Sequence, residues 1–423
     1  MNILSHRWKR LCIAGITTLS LLASGIQAQE LPSREEMWTM ILKQQEEIDA
    51  LKARMGMTEK KVELTETAIE TTSEQIEATT TFVENLGSSK SPASQSGTLA
   101  KTHLGGYGEL HYSFGDKKSA DFHRWVLFVD HEFNDSMRFV SEIELEHSIA
   151  GEGKVGEMEL EQAYLEFDLN ETDKAKAGLF LVPVGILNET HEPATFYGVE
   201  RNGVEKNIIP STWWEGGLAY SHQNENGWAF DAALHTGLSV PTSGSKAFKI
   251  RSGRQKVGKA LANDGAITSR LTYSGMPGAK FGLSAQYQQD IAQGSLAESV
   301  DATLVSANAV IEQGNFSLRA LYARWDLGGM APKANGADEQ YGYYIEPSYR
   351  FTTEKGDIGF FARYSAWDTK AGNSASSKDA FFDIGVNFWP IDNIVFKADI
   401  QFTDYANSSK DDEIVNLGVG YQF

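Results

Sequence analysis

From residue 104 onward apolar and polar positions alternate with a period of two, in runs of about ten residues broken by Gly/Asn/Asp-rich connections. The alternation predicts strands near 104–114, 121–133, 137–149, 157–169, 174–182, 212–222, 228–236, 266–273, 280–289, 299–311, 316–326, 339–351, 358–367, 379–389, 394–404 and 413–423. The connections are short and long in turn. Turns such as Asn134-Asp135-Ser136 and Glu312–Asn315 alternate with longer stretches, notably 183–210 and 238–265. An even strand number with short turns on one side and long loops on the other is the layout of an outer-membrane barrel. The fold expected is therefore an all-β membrane protein, a 16-stranded antiparallel transmembrane β-barrel over 104–423, with both chain termini on the periplasmic side. A barrel of this size holds an aqueous channel, whereas eight strands would fill with side chains.

The final strands show which face meets lipid. Val415, Leu417, Val419, Tyr421 and Phe423 share one face, opposite Asn416 and Gln422. An apolar face closing on a terminal phenylalanine is similar to the last strand of outer-membrane proteins in general. One strand earlier, Ile394, Phe396, Ala398, Ile400 and Phe402 face out and leave Lys397, Asp399 and Gln401 inside. Tyr341, Tyr343, Tyr349 and Trp389 near strand ends are expected to form the interfacial aromatic girdle.

Residues 183–210, PVGILNETHEPATFYGVERNGVEKNIIP, follow neither a two-residue nor a 3.6-residue period and contain three prolines. A loop this long in a regular array is usually functional. The expectation is that it folds into the lumen and limits what passes. Its charged residues His191, Glu192, Glu200, Arg201, Glu205 and Lys206 are the candidate pore constriction, where mixed charges would set a transverse field. Tyr197, Trp213 and Trp214 read as packing or interface residues.

On the barrel wall, outward Met137, Phe139, Ile143 and Leu145 turn Arg138, Glu142, Glu144 and Glu146 inward, and outward Trp125, Leu127 and Val129 turn Arg124 inward. The face of Glu157, Glu159 and Glu161 is unsettled, because the alternation changes phase near Ala163 and predicts a bulge. This acidic wall either favours cations and hydroxyl-rich solutes or is an ordinary polar lumen lining.

Before the barrel the period changes to seven. Ile41, Ile48, Met55, Val62, Ile69, Ile76 and Val83 form one seam, accompanied by a second that is mostly threonine. A sustained heptad predicts a supercoil, and β-branched residues at both seams tilt it toward three strands. The N-terminus has a cationic start, an apolar run from Leu11 to Leu22 and small residues up to Ala28, the layout of a cleaved secretory leader. The organisation expected is a leader over 1–28, a periplasmic coil over 29–86, a Gly/Ser/Pro-rich linker over 87–103 and the barrel.

Composition narrows the function. The formal net charge of −19 over 423 residues argues against nucleic acid. The only cysteine, Cys12, falls inside the leader, so the mature chain is expected to carry no disulfide and no lipid on cysteine. No phosphate-cradling glycine loop, nucleophile elbow or metal-ligand histidine spacing is present, so no catalytic residue, metal or cofactor is expected.

The segments LGGYGELHYSF (104–114), FHRWVLFVDHEFND (122–135), ELEQAYLEFDL (159–169) and LFLVPVGILNETHEPATFYGVERNGVEKNIIPSTWWEGG (179–217) resemble the phosphate-selective porin O and P superfamily. The resemblance implies trimers of 16-stranded barrels whose infolded third loop constricts the pore, which here would be 183–210. Anion-selective members line the pore with arginine and lysine, whereas acidic residues outnumber basic ones over 101–423. What carries over is the architecture and passive diffusion, not a substrate. The leading expectation is an outer-membrane porin, not an enzyme, giving passive and weakly selective diffusion of small hydrophilic solutes or ions, with anions such as phosphate among the candidates. Its expected partners are outer-membrane lipid and two further copies of itself. The alternative is a structural envelope protein whose barrel anchors a periplasmic coil to the cell wall or to another periplasmic protein.

Overall fold

The computed structural model describes residues 101–116, 118–373, 377–406 and 412–423, and isolated positions between 34 and 52. Ile48 is one of those isolated positions, with helical backbone and an exposed side chain. The other seam residues, Ile41, Met55, Val62, Ile69, Ile76 and Val83, lie outside the described residues, as do the leader 1–28 and residues 87–100 of the linker. The chain divides into two units, Met1–Pro92 and Ala93–Phe423, and the second holds the barrel.

Sixteen strands form it. They are β1 (Thr102–Phe114), β2 (Lys118–Asn134), β3 (Met137–Glu146), β4 (Met158–Asp168), β5 (Asp173–Leu181), β6 (Trp214–Gln223), β7 (Trp228–His235) and β8 (Ala266–Met276). The second half comprises β9 (Ala279–Gln288), β10 (Ala302–Gln313), β11 (Phe316–Leu327), β12 (Glu339–Thr353), β13 (Gly356–Asp368), β14 (Lys378–Ile391), β15 (Ile394–Asp404) and β16 (Asp412–Gln422). Each pairs antiparallel with its sequence neighbours, and β16 pairs with β1 to close the barrel. Closure satisfies every edge, which a lipid-exposed sheet requires. Among the described residues, no helix is long and apolar enough to cross a membrane.

The last residue belongs to the closure. Phe423 N–H donates to the Gly106 carbonyl at 2.9 Å, and Gly106 N–H donates back to the Phe423 carbonyl at 3.0 Å. Deleting Phe423 removes both bonds, each contributing about 1 kcal/mol net. The expected result is a lower temperature for the heat-induced mobility shift on gels and a lower yield of folded barrel. An unchanged transition would show that the β1–β16 seam does not depend on this residue.

Alternation sorts the faces as the sequence predicts. On β15, Phe396, Ile400 and Phe402 are exposed while Lys397, Asp399 and Gln401 are buried toward the lumen. On β16, Val415 and Leu417 are exposed and Asn416 is buried. Trp389 departs from expectation. It is 4% exposed and points inward, where its indole N–H donates to the Ala194 carbonyl and its ring meets Tyr197 edge-on at 5.5 Å. It shares the inward parity of Asp383 and Asn387 on β14, so it cannot join the outer girdle.

Two bulges re-aim side chains. Glu109 pairs with Arg124 and Leu110 with Phe122, which leaves His123 as the extra residue on β2. Glu142 pairs with Gln162 and Ile143 with Leu160, which leaves Glu161 as the extra residue on β4. The second is the phase change expected near Ala163, found at Glu161, which is fully buried.

The long connections lie on the opposite side from the short turns, and they pack together rather than standing free. One apolar cluster joins Val182, Val204, Ile208 and Trp213 from the 182–213 loop to Leu238, Phe248 and Ile250 from the 236–265 loop and to Trp325, Tyr344 and Trp367 on the inner wall. A single helical turn, α1 (Val204–Asn207), lies in the first of these loops, and α2 (Met330–Asn335) lies in the β11–β12 loop.

Candidate functional site

Residues 182–213 connect β5 to β6 and touch inner-wall residues around most of the circumference. Arg124 of β2 donates to the His191 carbonyl at 3.1 Å, Arg319 of β11 to the Thr195 carbonyl at 2.8 Å, and Trp325 of β11 to the Ile208 carbonyl at 2.9 Å. Arg363 of β13 donates to the Tyr197 and Glu200 carbonyls at 3.1 and 3.0 Å. Asp399 of β15 accepts the Val199 N–H at 2.7 Å, and the Lys397 ammonium sits 3.6 Å from the centre of the Phe196 ring. Backbone polar groups of an irregular segment need partners wherever water is scarce, and here luminal side chains supply them.

Close approach fixes two glycines. A Cβ on Gly203 would lie 2.0 Å from the Trp367 ring, and one on Gly420 would lie 2.3 Å from Pro193 Cβ. Any side chain at either position displaces the loop from the wall.

The six loop residues singled out in the sequence have different surroundings. His191 is buried, its Nε2 3.5 Å from Glu142 Oε1 and 3.3 Å from Glu161 Oε2. Gln162 and Thr212 hold the other oxygens of those carboxylates at 2.7 and 2.8 Å. Burial alone would lower the basicity of His191, but the two carboxylates outweigh it and raise its pKa to about 9. Glu200 accepts from or shares a proton with His111 at 3.0 Å, and although burial opposes it, His111 holds its carboxyl below the usual range. Glu205 is fully buried. Its Oε1 accepts the Ile186 and Leu187 N–H groups at 2.6 and 2.7 Å, and its Oε2 accepts the Tyr344 hydroxyl at 2.9 Å and the Asn202 amide at 3.3 Å. Glu192 keeps one buried carboxylate oxygen without a partner. Arg201 is half-buried, with Nη1 unpartnered, and Lys206 is exposed.

The His191 ion pair gives a pH prediction. A group raised from 6.5 to about 9 adds stability that is complete below about 6.5 and is lost as the pH rises through about 9. Limited proteolysis of the 182–213 loop should therefore accelerate above pH 9, and the His191→Ala variant should show a clearly weaker dependence, that of Arg251 alone. Equal pH dependence in the two proteins would contradict this anchoring.

On the wall, Arg124 is 1% exposed and pairs with Glu109 at 2.6 Å, with Glu144 at 4.0 Å. Glu142 and Glu144 are buried and Glu146 half-buried. Arg138 is inward as expected but lies at the turn end of β3, paired with Glu166 and Asp168 at 2.7 and 2.6 Å, away from the loop.

The 236–265 loop contributes residues that sequence reasoning passed over. Arg251 donates to the Lys206 and Ser211 carbonyls at 3.1 and 2.8 Å, and Arg254 donates to the Thr212 carbonyl. Lys256 reaches Glu157 at 2.8 Å and also Glu159. Burial, then repulsion from Arg254 and Arg201, pushes the Arg251 guanidinium down to about 9, so it stays charged at neutral pH. Burial followed by Arg201 lowers Arg254 as well, and Glu159, Glu161 and Glu146 oppose that shift. Arg201, Lys206, Arg251 and Arg254 thus form one cationic cluster facing the acidic wall of β3 and β4. Among the described residues, none of the four has a carboxylate within ion-pair distance. The signal in sequence was the run Arg251-Ser252-Gly253-Arg254-Gln255-Lys256, dense in bases within an acidic chain.

A closed barrel of sixteen strands, apolar outside, charged inside and crossed by a loop, defines an integral outer-membrane channel of the porin class. The chain belongs to the phosphate-selective porin O and P family, whose model matches residues 104–423. Porins are channels, not enzymes. An uncharacterized protein of Aquifex aeolicus (strain VF5) is 28% identical over 358 residues, spanning 76% of this chain and 79% of that relative. In fold, the barrel is similar to the anion-selective porin from Comamonas acidovorans, with TM-score 0.54, 13% identity and coverage of 76% of this chain and 99% of that one. It is also similar to the outer-membrane channel DcaP of Acinetobacter baumannii, with TM-score 0.52, 12% identity and coverage of 76% and 97%. OmpT of Vibrio cholerae, in its trimer form, gives 0.51 at 10% identity with coverage of 76% and 99%.

Proposed function

We propose that small hydrophilic solutes cross this barrel by passive diffusion through a throat that favours anions. The observation that carries the reading is the imbalance of pairing. Most acids near the 182–213 loop are held by a base or by several donors, as Glu109, Glu142, Glu161 and Glu205 are. Arg201, Lys206, Arg251 and Arg254 are held by backbone carbonyls or by nothing. A unit charge about 5 Å from a passing ion contributes roughly 1–3 kcal/mol, for an effective dielectric between water and a protein surface. Total charge is a poor guide to such a site, because acids beyond a Debye length of about 10 Å are screened. In this reading the candidate constriction is Glu200, Arg201 and Lys206 together with Arg251 and Arg254, while His191 and Glu205 anchor the loop.

Liposome swelling with anionic and cationic solutes of matched size tests the proposal. Faster entry of the anions is expected, and equal or reversed rates would contradict it. We further infer a homotrimer, supported by the trimer recorded for the similar OmpT of Vibrio cholerae and by the heptad over 41–83. A native mass of one or two chains in detergent would contradict the trimer.

A further inference from the structure

Among the described residues, three groups of side chains converge closely enough to hold a metal ion. Glu142, Glu161 and His191 are buried and already engaged as ion pairs in the loop anchor, and Glu144, Glu146 and Glu159 are carboxylates alone. The third group differs. Asp121, His123 and His147 bring one carboxylate and two imidazoles together on the luminal side of the outer ends of β2 and β3, with all ligand atoms within 4.8 Å of one another. His147 Nδ1 lies 2.9 Å from both oxygens of Asp121, and His123 Nδ1 lies 3.2 Å from Asp121 Oδ2. Donors about 2.0–2.1 Å from a tetrahedral zinc ion stand about 3.3 Å apart, so these separations need only small adjustment.

Local structure holds the group in place. His123 is the extra residue of the β2 bulge, which sets its ring beside Asp121. The His147 N–H donates to the His123 carbonyl at 3.1 Å, and His147 adopts φ of 54°, turning the chain as it leaves β3. His111 stacks on His123 with ring centroids 4.6 Å apart, its own nitrogens taken by Glu109 and Glu200. It therefore fixes the orientation of the His123 ring without competing as a ligand, and two carboxylates stand behind it. The three ligand side chains are about one-quarter to one-third exposed, open to an ion arriving from the outer mouth. Sequence spacing gave no sign of this site, because the β2–β3 pairing, not a local motif, brings His147 to Asp121.

We propose that Asp121, His123 and His147 form a binding site for a divalent transition-metal cation of the zinc, nickel or copper type at the outer entrance of the barrel. Imidazole nitrogens select these metals over magnesium and calcium, which prefer oxygen. Water completes the coordination. Occupancy adds positive charge at the entrance and clamps the start of the β3–β4 connection to β2.

The test uses the full chain in detergent, without a histidine tag and freed of metal by a chelator. Titration with zinc alone, followed by calorimetry, is expected to show one saturable site per chain. Asp121→Asn and His147→Ala should each weaken it at least tenfold. His131→Ala should leave it unchanged, since His131 bonds Thr102 and lies eight residues along β2, about 26 Å away. Heat-modifiable gel mobility confirms that each variant is folded. With copper as probe, electron paramagnetic resonance should show coupling to two imidazole nitrogens, falling to one in His147→Ala. No saturable zinc uptake by the unaltered chain, or uptake and spectra that the substitutions leave unchanged, would overturn the site.

Discussion

Replacing Arg201, Arg251 and Arg254 together by glutamate should turn the proposed anion preference of the channel into a cation preference. The three guanidinium groups neighbour one another and have no carboxylate partner, so in the proposed throat their charge is left to act on passing ions. Reversal changes the local charge by two units per site beside the acidic residues Glu146, Glu159 and Glu161. At roughly 1–3 kcal/mol per nearby charge, the ratio of anion to cation permeability should fall by well over tenfold. The effect should shrink in concentrated salt, where the Debye length contracts to about 3 Å at 1 M. Single-channel recording checks it. A variant that conducts with unaltered ion preference would show that the throat lies elsewhere. Because Arg251 and Arg254 also tether backbone carbonyls, Arg→Gln variants separate charge from anchoring. They should reduce anion preference without reversing it.

Glu205→Ala should release the loop. Four donors converge on this buried carboxylate, two of them backbone N–H groups of the same loop and one the Tyr344 hydroxyl on the wall. Truncation leaves them unsatisfied at about 1–3 kcal/mol each, so docking should weaken by about 3 kcal/mol or more. The expected signs are cleavage between 182 and 213 under conditions that leave the parent intact, and a larger, noisier single-channel current. Glu205→Gln keeps an acceptor for the two N–H groups and should be milder. Full protease resistance in Glu205→Ala would mean that the apolar cluster around Ile208 and Trp213 holds the loop unaided.

Most of the barrel was legible in the sequence because its physics is local. A strand with one face in lipid and the other in a polar lumen must alternate, and the connections must alternate in length. Even the bulge on β4 was visible, as a break of phase near Ala163. The site was legible only in part, because it depends on pairing across long sequence distances. Arg251 and Arg254 meet Arg201 only after the 236–265 loop has folded onto 182–213. His147 meets Asp121 only across the β2–β3 hairpin. Glu205 and Lys206 are adjacent in sequence, yet one is fully buried and the other exposed, because α1 turns them to opposite sides. Nor does a strand-end position tell a girdle tryptophan from a luminal one: Trp389 needed the parity of Asp383 and Asn387. Total charge composition is silent on the throat for the same reason. Acidic residues dominate the total, but the throat depends on which charges remain unpaired.

The most direct test of the central claim is the zero-current potential of the purified protein in a planar bilayer under a tenfold potassium chloride gradient. Stepwise conductance is expected, with a potential whose sign reports chloride moving more readily than potassium. A potential of the opposite sign, or no conductance at all, would contradict it.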